Sequence, residues 1–80
     1  MEIQRHLTEK EIKRLDFTRL ELDYILENAN FTIEEEKIFK MLTSKYGRAS
    51  IVNISLTMNM SESTVKRRIK QIKHKIIRLL

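Results

Sequence analysis

A single glycine, Gly47, and no proline punctuate a chain of 80 residues. Tight reversals draw heavily on both residue types, so a chain this poor in them has little material for hairpins. It has to build longer local elements joined by short polar stops. Its apolar residues are chiefly Ile, Leu, Val and Met, set among Lys, Glu and Arg, and that mixture favours helix. The expectation is an all-α protein: a small three- to four-helix bundle, one domain over residues 1–80 with a modest core.

Start and stop signals divide the chain. Thr8-Glu9-Lys10-Glu11 has the form of a capping box, in which a Thr hydroxyl and a Glu carboxylate satisfy backbone donors near each other. Further on, Leu22, Ile25, Leu26 and Ala29 recur at helical steps, while Leu20, Leu22 and Tyr24 alternate like a strand. The favoured reading is a helix over about 16–28, stopped by Asn28-Ala29-Asn30. Thr32-Ile33-Glu34-Glu35 is another capping box, with three successive Glu residues where the helix dipole favours negative charge. It opens a helix over about 33–45, with Ile38, Met41 and Leu42 inward, Phe39 beside them and Gly47 able to end it. Ser50 can cap a short helix over about 51–58. Ser61 can cap a longer one running almost to Leu80, on which Val65, Ile69, Ile72 and Ile76 recur. Residues 1–30 are then a helical extension to a core at 31–80.

Charge separates the two halves. Residues 1–47 hold eight Lys/Arg and ten Asp/Glu, a balance of −2; residues 48–80 hold eight Lys/Arg and Glu62 alone, a balance of +7. Such asymmetry points to a polyanionic partner for the second half, against the plainer alternative of a solubilising surface. With no cysteine there is no disulfide or thiolate metal site. His6 and His74 stand apart without ligand spacing, so no metal site is expected. No Ser-His-Asp or Cys-His set, phosphate-cradling glycine loop or carboxylate cluster is visible, and neither enzymatic activity nor a cofactor is expected. No apolar run approaches the roughly 20 residues that cross a bilayer, so the expected location is cytoplasmic, without membrane contact.

Two helices joined by a three-residue turn, the second basic, make the outline of a helix-turn-helix. The outline needs a small residue where the helices cross, a turn residue tolerant of positive φ, and an apolar lock early in the second helix. Ser55, Asn59 and Val65 stand at those places, with Ile54 and Met60 completing the set. Residues 31–76 resemble the helix-turn-helix of LuxR-type regulators and of the promoter-reading C-terminal domain of bacterial sigma factors. The match runs through Phe31-Thr32-Ile33-Glu34-Glu35-Glu36 and then Ile54-Ser55-Leu56-Thr57-Met58-Asn59-Met60-Ser61-Glu62-Ser63-Thr64-Val65-Lys66. Ser55 replaces the usual Ala, Asn59 the usual Gly, and the connection 45–50 is longer than the usual loop. The resemblance implies sequence-specific binding of double-stranded DNA by a small bacterial or phage transcriptional regulator. It carries over no input signal and supplies no support for an RNA polymerase contact.

With Val65, Ile69 and Ile72 inward, the outward set near the start of the last helix is Ser63, Lys66, Arg67 and Lys70, the candidates for base edges. Ser61, Thr64, Lys45 and Arg48 are the candidates for phosphate, the first two because a helix N-terminus favours anions. The resemblance places its Thr and Lys contacts at Thr64 and Lys66. Arg68 lies nearer the inside, where Glu34 or Glu35 is a natural partner; Lys73, Lys75 and Arg78 read as solvated stems. Met41, Met58 and Met60 read as core filler, and Tyr24 and Tyr46 as half-buried. The apolar end, Ile76-Ile77-Arg78-Leu79-Leu80, either completes the core or, as the favoured reading, forms the seam of a homodimer through the C-terminal helix. The competing function is a helical adaptor that presents its basic face to an acidic protein or membrane surface.

Overall fold

Capping chemistry sets where each helix begins in the computed structural model, which describes residue 12, residues 14–44 and residues 46–79. Thr18 opens α1 (Arg19–Asn28): its hydroxyl accepts the Glu21 N–H while Glu21 Oε1 accepts the Thr18 N–H at 2.8 Å. The same reciprocal box, Thr32 with Glu35, opens α2 (Ile33–Leu42). Ser50 Oγ accepts the Asn53 N–H to start α3 (Ile51–Met58), and Ser61 Oγ accepts the Thr64 N–H to start α4 (Glu62–Leu79). The described residues are all helical or connecting, with no strand among them. The alternation at Leu20, Leu22 and Tyr24 therefore belongs to a helix: the Thr18 box commits the backbone before alternation can matter.

Two expected boundaries move. The helix read as starting near residue 16 starts at Arg19, because Thr18 and Glu21 form a box of their own. The helix read over 33–45 ends at Leu42, where the Thr43 hydroxyl donates to the Phe39 carbonyl at 2.8 Å and closes the last turn. Gly47 does not end that helix. It sits in a separate turn at φ +122°, donating its N–H to the Ser44 carbonyl, and the Ala49 N–H then returns to the Met41 carbonyl. Asn28-Ala29-Asn30 does stop α1, with Asn30 in the left-handed region at φ 57°. The capping box at Thr8 lies outside the described residues.

The core is aliphatic around one aromatic centre. Ile25, Ile38, Phe39, Ile54, Val65, Ile72 and Ile76 are fully buried. Phe17 and Phe31 pack tilted against Phe39 at ring centroid distances of 6.2 and 5.2 Å. Phe39 is thus the centre of the stripe and Met41 only half-buried at its edge, the reverse of the expected order. Met41, Met58 and Met60 pack against the core from outside as filler. Each extensive helix–helix contact among the described helices includes α4, which packs on α1, α2 and α3. Tyr46, expected half-buried, is almost fully exposed, because it lies within the surface turn that the Gly47 N–H closes on the Ser44 carbonyl. No helix among the described residues is long and apolar enough to cross a membrane.

Candidate nucleic-acid interface

The turn between α3 and α4 decides how α4 is presented. Asn59 takes φ 54° and ψ 49°, the left-handed conformation that a helix-ending residue needs and that Asn tolerates better than most. The N–H groups of Asn59 and Met60 both bond to the Ser55 carbonyl, the latter at 3.0 Å. The Ser55 hydroxyl then donates to the Met60 carbonyl. Ser55 therefore holds the turn from both sides, a role that an alanine at this position lacks.

On the far side of the turn, Val65 is fully buried and fixes the rotation of α4. Ile72 and Ile76 lie seven and eleven residues on, along the same stripe, so the opposite face must point to solvent. Ser63, Lys66, Arg67 and Lys70 occupy that face and are exposed. Their steps of three and four make them neighbours on one ridge, about 10 Å from Ser63 to Lys70 at 1.5 Å per residue. Lys66, Arg67 and Lys70 form no ion pair with any described residue. His74, one turn beyond Lys70 and also exposed, extends the ridge. The sequence signal for its place here is the four-residue spacing from Lys70, not any metal-ligand pattern. Among the described residues no group of acids and histidines could hold a metal ion.

The α4 entrance gathers hydroxyls. Ser61 Oγ lies 2.8 Å from Thr64 Oγ1 and 3.2 Å from Ser63 Oγ, so Ser61 and Thr64 are engaged with each other as well as with the cap. Ser61 and Ser63 are exposed, and Thr64 is half-buried. Arg48 lies apart from this group: it precedes α3, which separates it from the turn by eight residues, about 12 Å of helix. It is exposed and borders a shallow cleft with Asp16, Phe17 and Thr43. Lys45 lies outside the described residues.

The inner flank of α4 carries a second set of cations, tied to the acidic first turn of α2. Arg68 Nη2 approaches Glu34 Oε1 at 3.4 Å, one of the two partners expected for it. Lys75 is not a solvated stem. Its Nζ bonds Glu35 Oε1 and also donates to the Asn30 carbonyl at 3.2 Å, because the α4 face at position 75 turns back onto α2 rather than outward. The Glu35 side chain is only 5% exposed. Burial pushes its carboxyl up, but the Lys75 hydrogen bond, the Thr32 N–H and the Lys75 charge together bring it below the ordinary carboxylate value.

At the apolar end, Ile76 is buried and Leu79 packs against the core, which favours core completion over a seam for these two. Ile77 remains exposed, and Leu80 lies outside the described residues. No family model, curated protein or solved structure matches the chain.

Proposed function

We propose that this protein binds double-stranded DNA sequence-specifically, as a small transcriptional regulator that lays the first turns of α4 in the major groove. The observation that carries the reading is the free cationic ridge: Lys66, Arg67 and Lys70 stand exposed and without ion pairs to described residues, opposite Val65, Ile72 and Ile76. Helical hairpins are common, but here the helix that the turn presents carries its uncompensated charge outward.

In this reading Arg67 or Lys66 donates to guanine O6 and N7, with Ser63 and Lys70 beside them on the same ridge. Ser61 and Thr64 approach phosphate with hydroxyls and the backbone N–H groups at the α4 start. Arg48 and Lys45 serve a flanking phosphate, reached from the other end of α3.

The test is the salt dependence of binding to a mixed duplex pool. Each phosphate neutralised contributes a log–log slope of roughly −0.9, so several contacts make affinity fall steeply with salt. A flat response, or no binding, removes the proposal. Replacing Arg67 with Ala is expected to relax base preference by about 1–3 kcal/mol at one position. A uniform loss across sequences would move Arg67 to the phosphate set. If heparin competes as well as every duplex and no sequence stands out, the basic face serves an adaptor instead.

A further inference from the structure

We infer that Glu34 limits how many α4 cations reach DNA: its carboxylate engages Arg68 within the chain and withholds that cation from phosphate. The inference rests on the DNA-binding reading above. Helix α4 carries seven Lys/Arg, and two of them, Arg68 and Lys75, meet the first turn of α2. The two meetings differ in kind. Glu35 is buried, closes the capping box with Thr32, and shares Lys75 with the Asn30 carbonyl, so this meeting is tied into the fold at several points.

The Glu34–Arg68 pair is looser. Its side chains are 51% and 35% exposed and meet at 3.4 Å through one guanidinium nitrogen. Arg68 Nε is buried with no hydrogen-bond partner. A guanidinium is built to donate in a planar fork, and this contact uses it poorly. Surface ion pairs of this sort add little to stability, so holding the fold together does not account for it. Turned outward, Arg68 would free Nε to donate, and two parallel N–H groups would match a phosphate. It follows Arg67 directly in the chain and lies between Lys66 and Lys70, on the two turns assigned to the groove.

Binding to arbitrary duplex depends on the number of phosphates neutralised, whereas discrimination depends on the ridge that reads bases. Keeping one cation out of the first count lowers affinity for arbitrary and selected duplex alike, without touching the ridge. Glu34 takes no part in the capping box, which uses Thr32 and Glu35, so neutralising it leaves the start of α2 intact.

The experiment measures affinity of the whole chain and of Glu34→Gln for a mixed duplex pool, and for one duplex selected from that pool, across a salt series. The same is done in an Arg68→Met background, with urea denaturation of each variant. Glu34→Gln is expected to steepen the log–log salt slope by about 0.9 and raise pool affinity several-fold. Pool and selected duplex gain alike, the urea midpoint moves by no more than the loss of one first-turn charge and one exposed pair accounts for, and the gain vanishes when Arg68 is Met. Unchanged slope and pool affinity overturn the inference. So does a joint loss of affinity and stability, which would make Glu34 a fold residue, and so does a gain that persists without Arg68, which would be a net-charge effect. A steep wild-type slope with any of these outcomes leaves the DNA reading standing; a flat wild-type slope overturns both.

Discussion

Asn59 makes the most specific demand on a side chain at the turn, since φ 54° costs most residues energy that Asn and Gly largely avoid. Asn59→Gly is therefore expected to shift stability by less than about 1 kcal/mol, and Asn59→Val to lose about 1–2 kcal/mol or more. Urea midpoints at unchanged m-value check both; an equal loss in the two variants would show that the Asn side chain, not backbone conformation, matters. Asn59 and Val65 were legible in the sequence because each satisfies a local rule, one of φ and one of helical spacing. Ser55 was legible only as a small residue. Its hydroxyl bond to the Met60 carbonyl depends on how the turn folds back, which spacing does not encode. Ser55→Ala is expected to cost about 0.5–1.5 kcal/mol, although the smaller side chain fits the crossing.

At the scale of elements, α2 does two tasks with one acidic turn: it closes its own cap and it binds the inner flank of α4. The lowered Glu35 carboxyl makes the second task pH-dependent. A depressed folded-state value stabilises fully above the unfolded value of about 4.5 and loses that contribution as pH falls through the folded value. Stability measured from pH 7 to about 3 is therefore expected to decline in the acid for the wild type. In Glu35→Gln it should begin lower at neutral pH and decline less; parallel curves would show that Glu35 does not carry the dependence. The helix starts at Thr32, Ser50 and Ser61 could be read ahead of the structure, because caps are written in adjacent residues. The Thr18 box is just as local, but the apolar alternation that follows it obscures it. The end of α2 is harder to read, because Gly47 is the more conspicuous stop, yet the Thr43 hydroxyl acts first. The role of Lys75 is hidden for a different reason: its partners Asn30 and Glu35 lie 45 and 40 residues away in the chain, beyond any local pattern.

For the molecule as a whole, α4 is both the candidate contact surface and the helix on which the other three pack. A duplex held by its outer face would stabilise the entire fold by linkage, about 2.7 kcal/mol at a hundredfold excess over Kd. The expected observation is one cooperative melting transition that moves up with duplex concentration. A duplex that binds without moving the melt would place the contact elsewhere or on a form that is not folded. The arrangement has a consequence for variation. Because Val65, Ile72 and Ile76, with Ile69 and Leu79 beside them, seat α4 from its inner face, the positions now held by Ser63, Lys66, Arg67 and Lys70 can be randomised together while every buried side chain stays in place. A library at those four sites should consist mostly of folded proteins, so a new recognition repertoire could be screened on this scaffold without first rescuing its stability.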